Sequence, residues 1–258
     1  MHESMNEIPK TALAAVLALG LGAFAALPAA SQAADTRAAG IVRLMEEAMY
    51  PNAKTEATLV SATDGKKETY ALTSYARDNN QLIIVRFTAP ARMVGSDLLM
   101  LDRNVWLYDP KSGREMKIPS NQSFGGTGFS YGDVLRLNYS DNYDARILSE
   151  TEGEKALELT AKYRDAPYAR IELVVGSDNL PRSGKCYTRT GDLIKEMAYS
   201  GIGDVGGGRK PLITTVTSPL NQSDVSVLTI VRETVRTYPQ NVFNKKNLAA
   251  RLEERYEE

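Results

Sequence analysis

The chain has 258 residues but only one cysteine and one histidine. The histidine is His2, inside a segment read below as a removed export signal. The mature protein then has no imidazole, which excludes Ser-His-Asp and Cys-His catalysis. It also lacks the His and Cys clusters on which zinc and copper sites are built. Carboxylates stand at Asp97, Asp102, Asp109 and Asp133. They form no EF-hand spacing and no pair spaced for acid–base work, so they are expected as turn and cap residues. A lone Cys186 cannot close an internal disulfide and is expected as a buried free thiol. Charge of one sign is also missing. Lys and Arg total 31 against 32 Asp and Glu, with no long like-charged block, so the basic footprint needed to neutralise nucleic-acid phosphates is absent. No enzymatic activity, cofactor or metal is expected.

The start of the chain reads as an export signal. Lys10 precedes an apolar run from Ala12 to Leu27, Pro28 ends it, and Ser31-Gln32-Ala33 places small residues where a signal peptidase reads. The expected organisation is a signal peptide over residues 1–33, cleaved near Ala33, followed by one domain over 34–258 in the periplasm. No cysteine lies near the cleavage position for lipid attachment. About 225 residues remain, which suits one large β-rich domain.

Within that domain the hydrophobic period predicts a helix from Asp35 to Tyr50, capped by Asp35 and stopped by Pro51. Ile41, Leu44, Met45, Ala48 and Met49 would form its apolar face. From Thr55 to Val231 the period becomes two. Leu157, Leu159, Ala161 and Tyr163 alternate with polar residues, as do Ala169, Ile171, Leu173 and Val175, and Val225, Val227 and Thr229. This pattern marks antiparallel strands with one apolar face. Gln81 to Thr88 alternates less and is expected as a central strand covered on both sides. Turn signals such as Asp78-Asn79-Asn80 and Thr190-Gly191-Asp192 divide the run into ten or eleven strands. Gly201 to Gly208 reads as the most flexible loop. A second helix is expected at the end, capped by Asn244, with a thin stripe of Leu248, Leu252 and Tyr256.

The most informative block lies between Phe87 and Asp133. It contains Phe87-x-x-Pro90, Gly95-x-x-Leu98-Leu99, Trp106-Leu107-Tyr108-Asp109-Pro110 and a basic Arg114-to-Pro119 segment. It closes with Ser123-Phe124-Gly125-Gly126-Thr127-Gly128-Phe129-Ser130-Tyr131-x-Asp133. No Lys-Ser/Thr follows the glycines, so this is no phosphate-binding loop. The loop reads either as well packed or as a flap that moves aromatics on and off a ligand. Trp106 and Tyr108 read either as core or as pocket lining. Met45, Met49, Met93, Met100 and Met116 could supply an adaptable apolar lining, ordinary core being the plainer reading.

In order and spacing the block resembles the outer-membrane lipoprotein-sorting protein family of the LolA/LolB-like superfamily. The resemblance implies a mainly β fold with some α: a strongly curved antiparallel half-barrel lidded by a few helices, with a hydrophobic cavity between them. It implies a periplasmic carrier of lipid or lipoprotein acyl chains, with an inner-membrane RND-type exporter as partner. Cavity candidates on this reading are Leu99, Trp106, Tyr108, Phe124, Phe129, Tyr131, Leu157, Leu159, Ile171 and Leu173. The alternative is an interaction module with a filled interior that docks a transporter. The Gly206-Gly207-Gly208 run fits no motif of the family.

Overall fold

The computed structural model describes residues 29–248 except 64, 137 and 222. Helix α1 (Ala29–Met49) leads into thirteen strands. The first six are β1 (Ala53–Thr63), β2 (Lys66–Arg77), β3 (Leu82–Ala89), β4 (Asp97–Leu101), β5 (Asn104–Asp109) and β6 (Arg114–Ile118). After two short helices, α2 (Tyr131–Val134) and α3 (Tyr139–Asn142), come β7 (Tyr143–Glu150), β8 (Glu154–Ala161), β9 (Arg170–Gly176) and β10 (Pro181–Tyr187). β11 (Leu193–Gly203), β12 (Lys210–Thr217) and β13 (Val225–Val235) complete a single curved, unclosed antiparallel sheet.

The strand order is β6-β5-β4-β3-β2-β1-β13-β12-β11-β10-β9-β8-β7. Two meanders therefore join along β1 and β13, whose register runs from Ala53↔Val235 to Ala62↔Val225. The two free edges, β6 and β7, are consecutive in sequence. Residues 119–142 must carry the chain from one edge of the open sheet to the other, and they do so across its concave side.

One core lines that concave side. It takes Leu59 from β1, Tyr70 from β2, Val85 and Phe87 from β3, Leu98 from β4, Leu157 from β8, Leu173 from β9 and Ile230 from β13. Helix α1 covers it with Ala38, Ile41, Val42, Met45 and Met49. The apolar stripe differs from the expected one: Leu44 is 46% exposed and Val42 takes its place. The helix packs chiefly on β7, and the line through residues 38, 42, 45 and 49 meets that strand while 44 turns outward. The helix also begins at Ala29, so Asp35 lies within it instead of capping it, and the expected cleavage position after Ala33 falls inside it.

A second, smaller core lies on the convex side. Tyr75, Ile84 and Leu99 meet Tyr238, Val242, Phe243 and Leu248 there, with Trp106 and Tyr108 at the margin. Strand β3 is thus covered on both faces, as its weak alternation predicts. The cover comes from the segment after β13, which holds two 3-10 turns (Gln240–Val242 and Lys245–Asn247) where a helix from Asn244 was expected. Asn244 makes no side-chain cap there, and Leu252 and Tyr256 lie outside the described residues. Thirteen strands replace the expected ten or eleven. β6 is exposed along almost its whole length and carries no apolar alternation to reveal it.

The triple glycine has a packing reason. Val205 accepts a hydrogen bond from the Glu233 amide at 2.9 Å, pressing the β11–β12 loop onto β13. A Cβ on Gly206, whose φ is +115°, would sit 2.0 Å from the Glu233 carbonyl oxygen, and one on Gly207 would fall on the Glu233 carboxylate. The loop is also held by Asp204, which accepts from the Gly206 and Gly208 amides at 2.7 and 3.1 Å. This is a fixed turn, where the sequence alone suggests a flexible one.

Candidate functional site

The segment 119–142 fills the hollow of the sheet. Its turn is closed by the Phe124 amide donating to Phe129 at 2.9 Å and by Thr127 Oγ1 donating to the Phe124 carbonyl at 2.7 Å. Gly125 and Gly126 take φ of +58° and +76° to make that turn, and a Cβ at Gly125 would stand 2.7 Å from the Tyr70 hydroxyl. Phe124 is driven into an aromatic slot. It stacks on Phe87 at 5.2 Å and meets Tyr70 and Tyr131 edge-on at 4.9 and 5.5 Å. The Gly128 amide donates to Ser226 Oγ at 3.0 Å, and Ser226 contacts Ser61 Oγ at 2.9 Å. The loop is thereby tied to the central β1–β13 seam.

Beyond the turn, Ser130 caps α2 in a reciprocal box with Asp133. Asp133 also accepts from Lys195 Nζ at 2.6 Å and from the Tyr168 hydroxyl at 2.7 Å. Burial opposes its charge, but Lys195 and these donors prevail and hold it below the usual aspartate range. The motif's last residue is therefore the anchor of a buried ion pair with β11.

Helix α3 is held by α1. The fully buried Glu46 accepts from the amides of Tyr139 and Ser140. Burial outweighs the lowering effect of those bonds and pushes the Glu46 carboxyl up to about 7 from 4.5. The folded state thus binds more protons than the unfolded chain between those values. Stability from this group is complete below the ordinary glutamate range and is lost as the pH rises to about 7, a fall of about 3 kcal/mol. Denaturant unfolding of the wild type should show that loss between about pH 5 and pH 8, and Glu46→Gln should flatten it. An unchanged slope in the variant would remove Glu46 as its source.

Between these elements lies an apolar pocket of about 60 Å³, room for roughly four to six waters. Met49, the last residue of α1, and Tyr50 just after it close one side. Phe129, Gly132, Arg136, Tyr139 and Tyr143 close it from the lid and β7, and Met197, Tyr199, Leu228 and Ile230 form its sheet wall. Two wider clefts of about 310 and 250 Å³ lie beside Arg146 and Lys162 and beside Asp102 and Arg103, and their linings are more polar. Among the described residues no His, Cys, Asp and Glu group could hold a metal ion, and no helix is long and apolar enough to cross a membrane.

The ten cavity candidates are divided by the sheet. Phe129 alone among them lines the apolar pocket. Phe124 and Tyr131 form the lid's plug, while Leu157, Leu159, Ile171 and Leu173 form the concave wall in the same core. Leu99, Trp106 and Tyr108 lie on the other face. Leu99 pairs with Trp106 across β4–β5 and Asp97 with Tyr108, so all three project to the convex side, and Lys245 sits 4.6 Å over the Trp106 ring. Of the methionines, Met45, Met49 and Met100 are core, Met93 packs against it, and Met116 is 52% exposed. Asp102 and Asp109 are turn residues as expected, whereas Asp97 is fully buried against Arg86 at 2.9 Å. Cys186 is a buried free thiol. Sequence reasoning passed over Tyr50, Arg136, Tyr139 and Tyr199. Tyr139 and Tyr143, just after the motif, were the one local signal, and nothing in the sequence placed Tyr50 or Tyr199 beside them.

This fold, a curved and unclosed antiparallel sheet, is shared with solved proteins. A LolA superfamily protein from Nitrosomonas europaea is 25% identical, with a TM-score of 0.72 over 82% of this chain and 99% of that one. A Vibrio parahaemolyticus domain named for outer membrane lipoprotein sorting superposes with a TM-score of 0.72 at 16% identity, over 83% and 99% of the two chains. A family model described as "Uncharacterized protein" matches residues 78–250. The chain belongs to that family, within the LolA-like superfamily. No curated protein matches it in sequence. In this LolA-like protein the matched region begins at the β2–β3 turn and takes in the lid, its partners Phe87, Lys195 and Ser226, and the convex cover.

Proposed function

We propose that this LolA-like protein is a non-enzymatic periplasmic carrier, exported by a signal peptide cleaved near Ala33, that shelters a lipid or the acyl chains of a lipoprotein and passes them on. The observation that carries this reading is the lid. Its turn inserts Phe124 into a slot of Phe87 and Tyr70 on the concave face, so the lid's own side chain occupies space an alkyl tail would fill. Burial of each methylene contributes about 0.8 kcal/mol, so a long chain can compete with the lid for that surface. Because an entering chain must displace a packed lid, net affinity is lowered and hand-off to an acceptor becomes feasible. The Vibrio parahaemolyticus domain named for lipoprotein sorting supports the cargo class, and an inner-membrane RND-type exporter is the proposed partner.

The small size of the pocket favours a second reading, an interaction module with a filled interior that docks a transporter. Native mass spectrometry of gently purified periplasmic protein separates the two. A carrier retains an added lipid mass or binds a displaceable fluorescent fatty acid. A lipid screen without binding at saturating concentrations favours the module.

A further inference from the structure

The pocket's polar side chains are mostly hydroxyls, with one guanidinium and one carboxylate. Asp133 is its sole carboxylate, and Lys195 already neutralises it. Lys210, deeper in the fold, is paired with Glu233 at 2.5 Å, and Glu46 is engaged by the α3 amides. Arg136 is the exception. It lines the apolar pocket half-buried, its guanidinium carbon 5.9 Å from the Tyr50 ring, and no carboxylate lies within ion-pair distance of it among the described residues. Its carbonyl accepts from Asn80 at 3.4 Å, and its backbone is left-handed with φ +51°. Tyr50, Tyr139 and Tyr199 face the same space; the Tyr199 hydroxyl donates to Met197 Sδ at 3.3 Å, a weak acceptor that an oxyanion can replace. An uncompensated cation beside phenol donors in an apolar pocket is the composition of a site that orients an oxyanion.

We infer that Arg136 and these tyrosines bind the anionic headgroup, carboxylate or phosphate, of an alkyl-chain ligand whose tail runs along Met49, Met197, Leu228 and Ile230 under the lid. The inference rests on the carrier reading and narrows its cargo to acidic amphiphiles. The tail's first carbons fit the pocket as it stands, and the rest follow as the lid yields.

The test is a displacement titration with three twelve-carbon probes: laurate, dodecyl phosphate and the uncharged monolaurin. Laurate or dodecyl phosphate should bind the wild type at least about tenfold more tightly than monolaurin, and the tighter of the two identifies the headgroup. Arg136→Gln should lose about that tenfold for the anionic probes and leave monolaurin unchanged, while Arg136→Lys should keep most of it. Equal binding of charged and neutral probes by the wild type would overturn the headgroup site and leave the carrier intact. So would anionic binding untouched in Arg136→Gln. If no probe binds at all, both the site and the carrier reading fall.

Discussion

Phe124→Ala should destabilise the protein and yet make it bind hydrocarbon more tightly. The ring is 1% exposed and packs against three aromatic partners, so its removal should cost about 3–5 kcal/mol in denaturant unfolding. Part of that loss falls on the closed lid alone, because Phe124 joins the lid to β2 and β3 without bridging strands of the sheet to one another. If a tail and the Phe124 ring compete for one slot, weakening the ring's hold raises the fraction of molecules able to accept a tail. Apparent affinity rises by the same factor. A fluorescent fatty acid should therefore bind the variant at least about tenfold more tightly than the wild type, with Phe124→Leu intermediate. In a protein whose interior is only core, the same substitution leaves a void and lowers stability with no gain in uptake. Loss of stability together with unchanged or weaker probe binding would count against the lid as a competitor for ligand.

The parts of this architecture that the sequence reveals are those with one wet face. β8, β9 and β13 alternate cleanly because their outer sides are solvated, and Leu157, Leu159, Ile171 and Leu173 are accordingly found on the concave wall. Parity fails as a guide where both faces are covered. In β4, Leu98 faces the concave core and Leu99 the convex one, and nothing in the adjacent pair of leucines says which is which. The cover over Leu99 and Trp106 comes from residues more than a hundred positions later, in turns with no helical period. The Phe124 loop is legible as a motif, but its position follows from topology: only the pairing of β1 with β13 leaves β6 and β7 as the edges it must join. The glycines at 206 and 207 are unreadable for the same reason, since the Glu233 carbonyl and carboxylate that crowd them belong to β13.

Lys210→Met is expected to be among the most damaging single changes outside the lid. Lys210 and Glu233 are each 1% exposed at the side chain and 2.5 Å apart. Glu233 also accepts from Thr55 Oγ1 at 2.8 Å, and Lys210 donates to the Met49 carbonyl at 3.1 Å. The pair thus fastens the end of α1 to β1, β12 and β13, with Gly206 and Gly207 sealing it from water. Removing the lysine strands a buried carboxylate, which should cost about 3–5 kcal/mol. Adding Glu233→Gln keeps the shape and removes the stranded charge, so the double variant should recover most of the loss. A double-mutant cycle by denaturant unfolding then gives the coupling directly. A single-variant loss under about 1 kcal/mol would mean that water or another group reaches Glu233 in solution. The functional consequence follows from the end of α1 and the residue after it. Met49 and Tyr50 are both pocket walls, so freeing the end of α1 should loosen the pocket. Lys210→Met should then weaken binding of the anionic probes through a residue that need not touch them, and Lys210→Met with Glu233→Gln should recover stability but not binding, because the donor to the Met49 carbonyl is still missing.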